Sequence, residues 1–502
     1  MRKLLSFLIL ILLFTILSCK KEEGTIKSLP LQSAMQWEIQ WISTSGMYFI
    51  DESGQYIQLR GINQRAPFLF DISFNDGREA NEYIPPFTQE DVEEIARLGF
   101  NHLRLPINWS AFEPQKDVYK KEEFFGKIHE ILNWCRAAGI YVLLDIHSDA
   151  WSKEIGEDGM PGWTIYPTDY EKLEGPINFS ALTLRRANSQ VFKSFKDLML
   201  NNYNIRDEYM FFWNSLIEEF KDDPAIIGFE PLNEPTTYFG GVTERQFLNF
   251  YKICSQNMRF IDKRHLLWLE PDAARNIVGT APLLGTPFPD DKIVYCPHYY
   301  PNLNPLITHA TVEGWMHETD KAFDRIVQEG KSWNAPIVID EWGVNPTTPN
   351  GKSLIVAFMD QMQQRNIHGS FWLWREAKPG TCGLDGTWGF FTDMGDGLSW
   401  QPREDAKKLI STPYAFSLPA PYTSQNFDRN TQTYTCTFEM NTEDSGSPIL
   451  YIPELWYPNG YNIYVNNKEI TPNQIDSYQR VSFDFQPIVG RNIIEIRKKI
   501  QY

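Results

Sequence analysis

Short apolar runs, each ending in a polar or turn-forming cluster and followed by an amphipathic stretch, recur along most of the chain. They fall at 57–63, 102–106, 140–145, 225–229, 266–270, 293–298, 337–339 and 369–374. The run Ala225, Ile226, Ile227, Phe229 is continuous rather than alternating, which fits a strand covered on both faces. Between the runs, apolar residues recur at helical spacing over 89–98, 121–138, 205–221, 243–261, 312–329 and 353–365. Thr88 precedes the first of these helices as an N-cap, and Gly139 ends the second. Eight strands alternating with helices predict an α/β fold, a closed (β/α)8 barrel rather than an open sheet.

Beyond about residue 412 the period changes to two. Short alternating runs at 433–438, 449–452, 461–465, 481–485 and 493–496 are separated by Asn, Gly, Pro and Asp turns, which predicts a small antiparallel β-sandwich. The stretch 151–188 has no period, yet Trp151 and Trp163 argue for an ordered insertion at one end of the barrel.

The first residues read as a targeting segment. Arg2 and Lys3 precede an apolar run over 4–17, too short for an ordinary membrane span. Ile16-Leu17-Ser18-Cys19 then resembles a bacterial lipobox, so residues 1–18 are expected to be a signal peptide and Cys19 the lipid-bearing first residue. A flexible tether would complete 19–35, followed by a catalytic domain over 36–411 and the sandwich over 412–502. The expected location is the bacterial cell envelope, anchored at the outer membrane or cell surface, or else outside the cell.

Composition narrows the partners. A net charge of −17 with no basic patch argues against nucleic acid. The 16 Trp suit stacking on sugar rings as well as core packing. Six widely spaced Cys give neither a disulfide framework nor a metal motif, so no cofactor or metal is expected, and the chain is read as a monomer.

Candidate chemistry gathers where the runs end. Glu234 follows the fourth run in Asn233-Glu234-Pro235, and Glu341 follows the seventh in Asp340-Glu341-Trp342-Gly343. In such a barrel all strand carboxyl ends open onto one mouth, so the two carboxylates can face one substrate, the arrangement that glycoside hydrolysis needs. His147, Asp149, His298, Tyr300 and Trp374 stand at other strand ends, and Arg104 lies within the second run.

Six motifs in order carry a family resemblance: Leu59-Arg60-Gly61-Ile62-Asn63, the stretch 99–104, the stretch 141–149, Asn233-Glu234-Pro235, Pro297-His298-Tyr299-Tyr300 and Glu341-Trp342-Gly343. The chain resembles the endoglycoceramidase branch of glycoside hydrolase family five over about 56–502. The GEDGMPGW segment and Pro413-Tyr414 before the sandwich are similar to that branch. The resemblance implies a retaining mechanism, with Glu234 as acid/base and Glu341 as nucleophile. It also implies that Tyr300 and Arg104 hold Glu341 ionised and that Asn233 binds the sugar's 2-hydroxyl. His147, Asp149 and His298 would contact the substrate, and Trp374 would floor the sugar while Trp372, on the opposite side of a regular strand, lies in the core. The implied substrate is a glycolipid cut between glucose and ceramide. A β-glucan cut by an endoglucanase, or a simple β-glucoside or glucosylceramide, is the alternative, and a non-catalytic carbohydrate-binding lipoprotein the third. Ser148, Arg65 and Trp342 depart from the branch, which usually has Gln, Lys and Phe there.

Overall fold

A parallel sheet buried on both faces leaves no unpaired edge when it closes on itself, and this ladder closes. In the computed structural model, which describes residues 37–177, 184–275, 287–300, 311–377, 388–395, 399–442 and 444–499, eight barrel strands run in sequence order. They are β1 (Arg60–Asn63), β2 (His102–Ile107), β3 (Tyr141–Ile146), β4 (Ile226–Glu230), β5 (Leu266–Leu269), β6 (Ile293–Tyr295), β7 (Val338–Trp342) and β8 (His368–Phe371). Each pairs in parallel with the next from β1 through β6, and β7 pairs with β8, which returns to β1. The last gap is closed by Tyr295 bridging Ile337 and by the two-residue strand His298–Tyr299, whose His298 stands opposite Glu341. Cys19 and the targeting segment lie outside the described residues, as do Lys378 and Cys382. Among the described residues, no helix is long and apolar enough to cross a membrane.

The helices sit where the pattern places them. Helix α1 (Gln89–Arg97) begins with a capping box, Thr88 accepting from the Asp91 amide while Asp91 accepts from the Thr88 amide. Helix α2 (Lys121–Ala138) stops at Gly139, whose φ of 69° ends the helix in the left-handed region. The core between helices and strands is aromatic-rich, with Trp109, Phe112, Phe124 and Phe212 in mutual contact. Cys135, Cys254, Cys296 and Cys436 are free and buried.

The run at 57–63 divides between two sheets. Tyr56–Ile57 pairs with Tyr48–Asp51 and with Tyr414–Leu418, whereas Arg60–Asn63 enters the barrel. The amino-terminal hairpin, Ile42–Ser45 with Tyr48–Asp51, is thereby joined to the carboxyl-terminal sheet, and that ladder crosses the boundary expected at 411/412. The opposing sheet has five antiparallel strands, with Gly490–Lys498 at its centre side by side with Thr433–Met440. Phe438, Leu450, Ile463, Phe483 and Ile494 fill the space between the sheets.

Barrel and sandwich share buried polar contacts. The Tyr414 hydroxyl donates to the Gly99 carbonyl at 2.8 Å, and Arg60 lies over the Tyr414 ring at 4.0 Å. Trp456, at the aromatic turn after 452, donates to the Lys408 carbonyl at 3.0 Å and packs on Phe427, so that turn is part of the junction.

Gly99 makes this junction testable. Its φ is +88°, and a Cβ there would come within 2.4 Å of the Tyr451 ring, whereas Gly54, at φ +81°, has open space around it. Gly54→Ala is expected to cost about 1–2 kcal/mol, the left-handed penalty alone. Gly99→Ala adds roughly 1–3 kcal/mol of overpacking. Urea unfolding of the two variants measures the difference.

Candidate active site

The mouth is built around a buried arginine. Arg104, on β2, has no exposed side-chain surface and sits among carboxylates from three other strands. Its guanidinium grips Glu230 at the end of β4 with two bonds, of 2.9 and 3.0 Å. It lies 3.0 Å from Asp145 on β3 and 3.4 Å from Asp340 on β7. The remaining donors reach Glu341 at 2.6 Å and the Asn233 side-chain oxygen at 2.9 Å. Burial works against the charged guanidinium, but the surrounding carboxylates outweigh it and hold the arginine firmly protonated.

Glu341 is fixed from two directions. Arg104 donates to one carboxylate oxygen, and the Tyr300 hydroxyl donates to the other at 2.8 Å. Burial pushes the Glu341 carboxyl up, against the pull of His298, Arg104 and His147.

Glu234 arrives by a sharp turn. After β4 the chain bends through Pro231, Leu232 and Asn233, and Glu234 takes a φ of 40°, uncommon for a residue with a side chain. The turn is pinned by the Asn233 amide donating to the Ile146 carbonyl at 3.1 Å and the Glu234 amide donating to Glu270 at 2.5 Å. The Glu234 carboxylate accepts from His298 Nδ1 at 2.9 Å and from Arg186 at 2.8 Å. Burial raises this carboxyl, but the His298 bond and the Arg186 charge together bring it below the ordinary value. An oxygen of Glu234, a ring nitrogen of His298 and an oxygen of Glu341 all lie within 4.8 Å of one another.

The structure brings together Arg104, His147, Asp149, Asn233, Glu234, His298, Tyr300 and Glu341. Asn233 donates to Asp149 at 3.0 Å while accepting from Arg104. His147 is buried, with Nδ1 2.6 Å from Asp145 and Nε2 3.5 Å from Asp149. Burial alone would depress both His147 and His298, but the carboxylates facing them raise both well above the usual imidazole value. Several of these His and carboxylate groups approach as closely as metal ligands do. Arg104 and Arg186 already supply positive charge there, which opposes a further cation.

Trp374 corrects the expectation that it floors the sugar. It is fully buried, donates to Asp91 at 3.1 Å and packs against Phe390 and Phe391. Trp372 is buried, as expected, and lies parallel to the His147 ring at 5.6 Å. It clusters with Trp388 and Tyr300 beside the carboxylate pair. The cause is local: β8 ends at Phe371, so period-two alternation does not extend through Trp374.

Arg186 escaped the motif reading because it lies in the aperiodic insertion, and Glu157 and Asp158 were read only as part of the GEDGMPGW segment, without a role. Arg186 contacts Asp149 at 2.6 Å, Glu157 at 3.2 Å and Glu234 at 2.8 Å. The available signal was charge balance: two acids in a tryptophan-anchored loop need a cation, and Arg185-Arg186 is the basic pair near the insertion's end. Arg65 is buried and paired with Glu82, and its guanidinium lies 5.8 Å from the Trp372 ring. Ser148 is buried and donates to the Trp151 carbonyl at 3.3 Å.

Comparison with known proteins places the fold and the family. An endoglycoceramidase of Hydra vulgaris is 23% identical over 434 residues, 77% of each chain. Endoglycoceramidase I of Rhodococcus hoagii is 22% identical over 458 residues, 86% of this chain and 83% of that one. Endo-glycoceramidase II from Rhodococcus sp., solved with ganglioside GM3, superposes with a TM-score of 0.72 at 19% identity, covering 91% of this chain and 100% of that one. The cellulase profile of glycosyl hydrolase family 5 matches residues 50–378, and the profile of the family's C-terminal domain matches 413–496. With the catalytic profile spanning more than half of the chain and the C-terminal one following in order, the protein belongs to glycoside hydrolase family 5.

Proposed function

We propose that this family 5 hydrolase cleaves, with retention, the β-glycosidic bond between the glycan and ceramide of glycosphingolipids. The observation that carries the chemistry is the approach of Glu234 and Glu341 oxygens to within 4.8 Å. Retaining pairs stand about 5–5.5 Å apart and inverting pairs about 6.5–9.5 Å, the latter leaving room for a water. In the first step the Glu341 carboxylate attacks the anomeric carbon as the bond to the aglycone oxygen breaks. Glu234 gives its proton to that oxygen. In the second step Glu234 takes a proton from water, whose oxygen replaces Glu341 at the anomeric carbon.

Support for a lipid aglycone comes from the rim and from the relatives. Phe68 and Tyr83 on the loop after β1, Leu184 after β3, and Tyr238 and Phe239 after β4 are large exposed apolar residues on mouth loops. Such a rim suits an amphiphile better than a soluble glucan. The similar proteins named above are endoglycoceramidases. Attachment to the cell envelope through Cys19 belongs to the same reading, supported by the lipobox-like Ile16-Leu17-Ser18-Cys19. A lipid-linked enzyme meets its lipid substrate at an interface.

Protein lacking residues 1–19 is expected to release intact lactose from lactosylceramide, with free ceramide, as read by mass spectrometry. Cleavage of cellotetraose with lactosylceramide and glucosylceramide both untouched would overturn the glycolipid reading and leave the carboxylate mechanism standing. Glu341→Gln and Glu234→Gln should each lower kcat/KM on lactosylceramide by at least about 10²–10⁴. Azide should rescue Glu234→Ala on an activated aryl glycoside to give a β-configured glycosyl azide. For the anchor, cells fed radioactive palmitate should label the full chain but not Cys19→Ala, and equal labelling of both would reject attachment at Cys19.

A further inference from the structure

The acid/base carboxylate stands in the wrong company for its first task. To release an aglycone alkoxide Glu234 has to carry a proton, yet here it accepts from a guanidinium at 2.8 Å and from His298 at 2.9 Å. Charge-assisted pairs of that length favour the ionised carboxylate. Arg104 cannot be displaced, being wholly buried among its carboxylates. Arg186 can, because about a third of its side chain is exposed and it belongs to the insertion rather than to a barrel strand.

Arg186 also has a second seat already made. Its other donor reaches Asp149 at 2.6 Å and Glu157 at 3.2 Å, and its Nε lies 3.4 Å from the same Glu157 oxygen. Letting go of Glu234 therefore costs one contact out of a cluster. Glu157 is 1% exposed, and its neighbours include Asp149 and the Glu82 that pairs with Arg65. We propose that Arg186 is a positioning residue that shuttles between Glu234 and Glu157, so that the two carboxyls share one proton and the acid is armed when Arg186 withdraws to Glu157. The exchange conserves charge. With the proton on Glu157 the arginine pairs with Asp149 and Glu234; with the proton on Glu234 it pairs with Asp149 and Glu157, and the net charge of the cluster is the same in both states.

The proton affinities fit such sharing. Burial, opposed by Arg186 and helped by Asp149 and Glu82, pushes Glu157 up to about 7, so near neutral pH it can take or give the proton. The groups facing Glu234 from the surrounding elements are His298 after β6, Glu270 after β5, Glu341 on β7, Asp149 after β3, and Arg186. Of the cations in this set, Arg186 alone comes from the insertion.

The proposal rests on the retaining mechanism given above and not on the identity of the aglycone, so simple aryl β-lactosides test it. Phenyl β-lactoside needs the acid, whereas the 2,4-dinitrophenyl analogue departs without protonation. The basic limb of the kcat/KM profile reports loss of the Glu234 proton in the free enzyme. Arg186 lowers the pKa of Glu234, so Arg186→Met is expected to raise it and move that limb up by about one pH unit on the phenyl substrate. Glu157→Gln removes the arginine's alternative charged partner, leaves Arg186 with Glu234 and is expected to move the limb down. Arg186→Lys should shift it less than Arg186→Met. On the dinitrophenyl substrate the variants should leave the basic limb unmoved, and hydrolysis of this substrate by the wild type checks the glycosidase chemistry separately. Equal losses on both substrates with no displacement of the limb would overturn the proposal and assign Arg186 to holding the insertion in place. Displacement of the limb in the same direction by Arg186→Met and Glu157→Gln would overturn it as well.

Discussion

Everything at the mouth of this barrel depends on accommodating one buried guanidinium. Arg104 is out of reach of water, and its positive charge is met by Glu230, Asp145, Asp340 and Glu341. A charge in that position is tolerable only if its donors are all satisfied, and each of those carboxylates is tolerable only because the arginine is there. Removing one partner from such a network typically costs about 3–5 kcal/mol, since the remaining charge stays buried. Because Arg104 lies on β2 and its partners come from β3, β4 and β7, the network also sets how these four strands are aligned. The nucleophile inherits its position from that constraint.

Four carboxylates around one cation cannot all be ionised cheaply. Burial, reinforced by Asp145 and Asp340 and opposed by Arg104, drives the Glu230 carboxyl well above its usual range, and Glu270 is raised in the same way. Both imidazoles at the site are raised instead, because each faces acids. The mouth therefore mixes carboxyls that burial pushes up with imidazoles that their acidic neighbours push up. Arg186 extends this array outward to the insertion, from a fixed interior cation to one at the edge of solvent.

The sandwich bears on the same site indirectly. Its contacts fall on Arg60, Arg97, Gly99 and Lys408, at the end of the barrel where the strands begin or on helices beside it. None of these residues touches the carboxylate pair. By gripping the chain at the start of β1 and immediately before β2, the sandwich fixes where those strands start; Asn63 ends the first of them, and Arg104 is the third residue of the second. A strand of four to six residues transmits such a constraint with little slack.

By itself the sequence determined the elements and the reactive pair. Strand burial, helix period, the Thr88 cap and the Gly139 stop are written in local spacing, and so was the placement of Glu234 and Glu341 at strand ends, because a turn signal follows each apolar run. What only the tertiary structure decided are the meetings across loops and the points where local regularity stops. The end of β8 at Phe371 broke the alternation, so Trp374 turned into the core while the buried Trp372 came to lie beside His147, and a strand's end is set by its partners, here β7 and β1. The pairing of Tyr56–Ile57 with Tyr414–Leu418 joined the two ends of the chain, a contact across more than 350 residues that no window of sequence contains. Arg186 found Glu234 in the same way, since an aperiodic insertion carries no register to say which carboxylate its arginine will reach.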